Sequence, residues 1–397
     1  MVKLINSKQT IEKFFIYSIF LFIGLNVKFF SGFYLYNVLI VVFLVFFNKI
    51  KIDKNLFINI AFVDFIILFT LLIQLLYVDN FSLDSYYIFL KLVIFLTFIM
   101  FMKGINFRII NYNVVLVFLA LPVIFSIFMF HNNSIENYLL SFYNLGKYPA
   151  FGRYGGVFGE DVNALGIFSS LLLFLTLVLK RLKMINFLLA LFVVMLSLYA
   201  VILSGMRAGL LVIFVALLLF QIKLNILNFK YVLIAILGII LLVFNIYSIN
   251  DNIKELVDYM INRFSIESLL QGVNINNDNG NLRVAIAYFD RTIENKTIDI
   301  ESMLFGIDSN LNYVDNFYIF SFLKHGFVFI LSALLVLFLI IKQAIIRNDY
   351  MVLLVVLISM VIALKGLFII NNYYMFTILF IINLWRNKVR PNFRTAT

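Results

Sequence analysis

MINFLLALFVVMLSLYAVIL, residues 184–203, runs for twenty positions without a charged side chain. A helix needs roughly 20 apolar residues to cross the hydrocarbon layer of a bilayer. In lipid the backbone must bond to itself, so such a run is a helix and not an open strand. Lys180, Arg181 and Lys183 stand before it, and a small-residue hairpin, Ser204-Gly205-Met206-Arg207-Ala208-Gly209, follows it.

The pattern recurs outward in both directions. Comparable apolar runs cover 14–30, 33–48, 57–77, 87–102, 114–130, 163–179, 207–222, 231–249, 316–341, 350–369 and 373–385. The expected fold class is therefore all-α: a polytopic integral membrane protein with about twelve transmembrane helices. The first two runs and the last are short, so ten or eleven helices also fit. Composition agrees. The 397 residues are 64% hydrophobic and 13% charged, whereas a soluble domain is about half apolar and a quarter charged. The period-2 alternation of a membrane β-barrel is absent. Lys3, Lys8 and Lys13 precede the first run as they would in a signal peptide. Gly24-Leu25-Asn26-Val27-Lys28 makes a poor cleavage site, which predicts a retained first helix.

Orientation follows from the cations in short loops, which favour the cytoplasmic side. With the N-terminus inside, the inner loops hold Lys49, Lys51 and Lys54; Lys103 and Arg108; Lys180, Arg181 and Lys183; Lys223 and Lys230; Lys342 and Arg347. The inner tail adds Arg386, Lys388, Arg390 and Arg394, while the short outer loop 78–86 has Asp79, Asp84 and no cation. This distribution accounts for most of the net charge of +11, and nucleic acid is not needed to explain it. Both termini are then cytoplasmic. Two long connections fall outside: 131–162, and 250–315 before the tenth helix. The second is partly helical by its spacing, with Ile253, Leu256, Val257, Met260, Ile261 and Phe264 on one helix face. Such a helix suits the membrane surface. Leu282, Ile286, Phe289 and Ile293 suggest another. No internal repeat is present, so residues 1–397 read as a single transmembrane domain with an external cap.

Four features stand out from the apolar background. The first is Gly152-Arg153-Tyr154-Gly155-Gly156-Val157-Phe158-Gly159-Glu160-Asp161-Val162-Asn163, continuing to Gly166, where the first long loop enters the sixth helix. Its glycines permit close backbone approach, and Arg153 offers a planar fork of donors suited to phosphate. The same stretch also reads as a tight re-entry turn with an ordinary interfacial arginine. The second is Arg207, an outside cation among small residues. A cation there faces a cavity or an anion, or simply snorkels from the hairpin. The third is Arg283, with Arg291, in the large acidic loop, where a solvated face is the plain alternative. The fourth is Asp315-Asn316-Phe317-Tyr318, followed by Lys324-His325-Gly326. Asp315 and Asn316 would in any case cap a long helix.

The chain lacks cysteine and has two histidines, His131 and His325, so thiolate and His-rich metal sites are excluded. No phosphate loop, nucleophile elbow or H-E-x-x-H is present. No acidic pair of the D-x-D kind stands on an outer loop to hold Mg²⁺. Neither a metal nor a cofactor is expected.

Taken together, these features resemble the superfamily of O-antigen polymerases (Wzy-type) and O-antigen ligases. The resemblance in architecture covers most of the chain. In motif it covers three short stretches. Arg153 through Asn163 and Gly166 look like the family's R-x-x-G…N-x-x-G stretch. Ser204 to Gly209 look like its small-residue arginine hairpin. Leu304-Phe305-Gly306 with Asp315-Asn316-Phe317-Tyr318…Gly326 look like its late motif. Asp315 stands where the ligase branch usually has His, which favours a polymerase. Met206 replaces a usual Ser, and Asp161 a common Pro.

The resemblance implies a polysaccharide repeat-unit polymerase, acting on O-antigen or capsular units at the outer face of a bacterial inner membrane. The donor would be a glycan on undecaprenyl diphosphate, and the acceptor the sugar end of another lipid-linked unit. It implies diphosphate binding by Arg153, Arg207 and Arg283, with Asn163, Asn316 and Tyr318 also touching substrate. Asp315 would orient or deprotonate the attacking hydroxyl, with Glu160 second. The implied partners are membrane lipids, a chain-length regulator (Wzz-type) and a flippase (Wzx-type). The alternatives are a ligase of the same superfamily and, from another class, a lipid-linked oligosaccharide transporter.

Overall fold

The computed structural model describes residues 2–25, 28–30, 33–49, 94, 97–143, 156–158, 162–204, 304 and 372–388, with isolated positions from 326 to 360. The expected helices at 57–77, 207–222 and 231–249 and, Leu304 apart, the loop 250–315 lie outside these residues. The chain divides into two compact units, each assembled from separate stretches: Met1–Leu39, Asn106–Gly272 and Asn387–Thr397 in one, Ile40–Ile105 and Val273–Arg386 in the other.

In the first unit the apolar runs form helices α1 (Val2–Leu25), α3 (Tyr112–His131), α5 (Val162–Arg181) and α6 (Phe187–Ser204), and a further helix, α4 (Asn133–Tyr143), follows α3; α2 (Leu35–Phe46) begins in the first unit and continues into the second. Among the described residues, three helical stretches are long and apolar enough to cross a membrane: Tyr112–His131, Ala164–Arg181 and Phe187–Ser204. These match the expected runs 114–130, 163–179 and 184–203 closely. Large apolar side chains stand exposed on α3 (Val117, Phe128) and α6 (Phe187, Leu188, Leu191, Phe192). Lipid is the natural neighbour for such a surface.

The beginning of the chain differs from expectation. Helix α1 starts at Val2 and stops at Leu25, so the predicted run 14–30 is not helical to its end. A short antiparallel hairpin follows, β1 (Lys28–Phe30) with β2 (Phe33–Tyr34), pairing Lys28 with Tyr34 and Phe30 with Phe33. An all-α fold is thus correct for most of the described chain, with this hairpin as an exception. The cause is legible in KFFSGFY: aromatic residues suit strands, and Ser31-Gly32 is a turn signal.

Helix α5 is the buried centre of this unit. It pairs with α6 as an antiparallel hairpin. The turn between them is closed by Lys183 N–H to the Lys180 carbonyl (3.0 Å) and Met184 N–H to the Leu179 carbonyl (3.0 Å), with Lys183 at φ 56°. That is the Schellman stop, which satisfies carbonyls left free at a helix end. Buried hydroxyls on the hairpin bond back to their own helix: Ser170 to the Gly166 carbonyl (2.7 Å), Thr176 to Leu172 (2.7 Å) and Ser204 to Val201 (2.7 Å). Such back-bonding lets hydroxyls stay in an apolar interior.

Helix α3 carries Pro122 inside it. Proline has no N–H, so the Phe118 carbonyl four residues earlier loses its helical donor. Gly24 of α1 lies against that carbonyl, and a Cβ at Gly24 would overlap the Phe118 oxygen. Seven residues back on both helices, the Tyr17 hydroxyl accepts the Asn111 N–H at 2.7 Å. Helices α1 and α3 therefore run parallel. The side-chain carbonyl of Asn113 accepts the Asn186 N–H (3.0 Å), which ties the start of α3 to the start of α6.

The second unit is aromatic at its centre. Phe43 of α2 meets Phe101 edge to face (centroids 5.3 Å apart), and Phe98 meets Phe376 likewise (5.3 Å). Phe376 belongs to α7 (Asn372–Lys388), close to the expected 373–385. Ala344, Val352 and Val356 form a second cluster with Ile382 against it. Beside it the nearly buried Asp349 carboxylate accepts from Arg386 Nε at 2.7 Å.

Candidate functional site

Only one of the expected site residues falls within the described chain. Asn163 lies in the first turn of α5. Arg153, Glu160, Arg207, Arg283, Asp315, Asn316 and Tyr318 lie outside the described residues, and their expected convergence belongs to the proposal below.

What the structure does show is two pieces of the connection between α3 and α5. It was expected as a long loop, 131–162. Among its described residues it contains a helix, α4, and a 3-10 turn, Gly156–Phe158. The helix is capped by Asn132, whose side-chain oxygen accepts the N–H groups of Ser134 (3.0 Å) and Ile135 (3.2 Å). A capping residue just before N-S-I-E is the sequence signal for this helix. Ile135 and Tyr138 are exposed, whereas the Glu136 side chain is buried.

The 3-10 turn does not stay at the helix ends. The Val157 N–H donates to the Ser126 hydroxyl at 3.1 Å, and that hydroxyl donates to the Pro122 carbonyl at 2.7 Å. Ser126 lies five residues before the end of α3, roughly 7.5 Å inward at 1.5 Å per residue. On the opposite side the Phe158 ring packs against Phe168, with centroids 5.7 Å apart. Phe168 lies six residues beyond the start of α5, roughly 9 Å inward by the same rise. Both measures agree that the turn is inserted between α3 and α5 by more than one helical turn. Gly156 and Val157 are buried there, Val157 at 3% exposure.

Gly156 makes the insertion possible. Its φ is +58°, and a Cβ would run into the Ser126 side chain. Only glycine tolerates both conditions at low cost. Of residues 152–166, the structure describes the 156–158 turn and the helix that begins at Val162. The chemistry of that stretch is a separate matter. Non-helical backbone at membrane depth is tolerated only inside protein or beside a water-filled cavity.

A second polar contact closes the same end of α3. His131 Nε2 and the Tyr199 hydroxyl of α6 share a hydrogen bond of 2.8 Å, with the rings stacked 5.9 Å apart. Sequence reasoning missed Ser126, Glu136 and this pair, because a lone Ser, Glu or His on a helix carries no spacing signal. Among the described residues, the buried Ser169 and Ser197 hydroxyls have no hydrogen-bond partner. No protein-family model matches the chain, and neither a curated protein nor a solved structure shows a match.

Proposed function

We propose that the protein polymerises lipid-linked glycan repeats, transferring a glycan from undecaprenyl diphosphate to the sugar end of another lipid-linked unit. In this reading it has about twelve membrane helices, cytoplasmic termini and two outer loops at 131–162 and 250–315. It sits in the plasma membrane of a bacterium. A sugar hydroxyl attacks the anomeric carbon, the bond to the diphosphate breaks, and lipid diphosphate leaves with the developing negative charge. Arg153, Arg207 and Arg283 stabilise that charge. Fixed cations aimed where charge develops are a large catalytic term, and arginine supplies them without a metal and without losing its proton. Asp315, or in second place Glu160, takes up or orients the hydroxyl proton.

The observation that carries this reading is the inserted turn. Arg153 stands three residues before Gly156 in sequence, and the turn holds backbone below the ends of α3 and α5. A chain that buries a loop among spanning helices has a use for polar groups at that depth. The parallel course of α1 and α3 also supports the topology, since it requires an odd number of crossings between them, and three are expected. The arginine hairpin at 204–209 and the late Asp315-Asn316-Phe317-Tyr318 stretch come in the order that the resemblance asks for.

Deletion with complementation, with surface glycan run on a gel, tests the reading. Loss of a polymerase leaves single capped repeats. Loss of a ligase leaves long chains on the lipid carrier, which is the result that would transfer the protein to that branch. Arg207→Ala should abolish chain extension while the protein remains in the membrane. Normal long chains from that variant would end the assignment. A transporter keeps a place only if repeats accumulate on the inner leaflet in the deletion strain.

A further inference from the structure

We infer that Ser126 is a positioning residue, whose hydroxyl sets the depth at which the 156–158 turn is inserted between α3 and α5. The inference rests, for its consequence, on the reading of the adjoining Arg153 as a ligand of the lipid diphosphate. Its geometric half stands on described atoms alone.

Three observations converge on this hydroxyl. It is fully buried, so the bonds it makes replace water. Its proton is committed to the Pro122 carbonyl at 2.7 Å, so the oxygen is left to accept, and it accepts the Val157 N–H at 3.1 Å. Gly156, immediately before, is in the left-handed region and has no room for a Cβ against Ser126. The turn is therefore built to meet this one side chain. Phe158 against Phe168 adds apolar contact from α5, but an aromatic contact slides where a hydrogen bond does not. A buried backbone N–H without a partner is costly, which makes the acceptor decisive. Without it, the Val157 N–H finds a partner by moving outward to water, and the residues preceding the turn move with it. A displacement of about 1 Å in a binding group is enough to cost a large factor in rate.

The chain has no cysteine, which supplies the test. Val157→Cys keeps the backbone N–H and places a single thiol on the turn. In cells carrying the full-length protein, its reaction with a membrane-impermeant maleimide reports depth. Ser126→Thr keeps the hydroxyl, and Ser126→Val has the same shape without it, so the pair is matched in volume. The Thr variant should leave the thiol slow to react and the glycan chains long. The Val variant should react at least about fivefold faster and make shorter chains. Equal labelling in the two variants overturns the inference. Faster labelling with unchanged chains would keep Ser126 as the anchor and instead remove Arg153 from the diphosphate site. Labelling and chain length therefore separate the two claims.

Discussion

Gly24 and Pro122 work as a pair. Proline strips the donor from the Phe118 carbonyl, and glycine lets α1 come close enough to cover it. Small residues at such crossings let helix backbones approach where no hydrophobic drive between helices exists. Gly24→Ala should destabilise the protein by about 1–3 kcal/mol, because the added methyl meets backbone rather than a movable side chain. Thermal unfolding in detergent would read this as a lowered midpoint. Ser126 and Ser169 make a contrast at the same scale. Ser126 holds two hydrogen bonds, and Ser169 holds none among the described residues, though both are fully buried. Ser169→Ala should be neutral within about 0.5 kcal/mol or stabilising, since an unpaired buried hydroxyl carries a desolvation cost. The same measurement checks it, and a clear loss of stability would show that Ser169 has an unrecognised partner.

At the scale of elements, the helices that follow expectation are those with strong local punctuation. Helix α5 ends where Lys183 turns left-handed, and α6 starts at the next apolar residues. Helix α3 is capped by Asn111, whose side chain accepts the Asn113 N–H at 3.0 Å. Helix α4 was overlooked because it is short, polar on one side and hidden in what length alone marks as a loop. In the second unit, α7 is fastened by Arg386 on Asp349. The arginine side chain is 38% exposed and the carboxylate 4%. A wholly buried pair broken on one side costs several kcal/mol, and an exposed one almost nothing. With one partner in each regime, Arg386→Ala should cost about 1–3 kcal/mol. Asp349→Asn should cost less, because it removes the buried charge along with the pair. A double variant no worse than Arg386→Ala alone, in the same unfolding assay, would confirm the coupling.

For the molecule as a whole, the testable quantity is sidedness. Helices α1, α3 and α6 run parallel and α5 runs against them, the alternation expected of successive crossings. A reporter at residue 183, in the turn with Lys180 and Arg181, should be cytoplasmic, and one near residue 280 should be outside. Cytoplasmic activity at 280 would remove the basis for an outer site built from Arg283 and Asp315. The Val157→Cys probe should be reached only from the side opposite residue 183.

Residues 184–203 already mark a helix long and apolar enough to cross a membrane. Twenty uncharged positions leave a backbone no other way to satisfy itself in lipid, and that holds before any partner is known. The cation distribution in short loops is local in the same sense. The tertiary structure alone decided that the 156–158 turn sits between α3 and α5. That outcome depends on one serine hydroxyl and one glycine without a Cβ meeting across about thirty residues of chain, and on two aromatic rings ten residues apart. Composition and periodicity report on neighbours along the chain, and this contact is made between residues that are neighbours only in space.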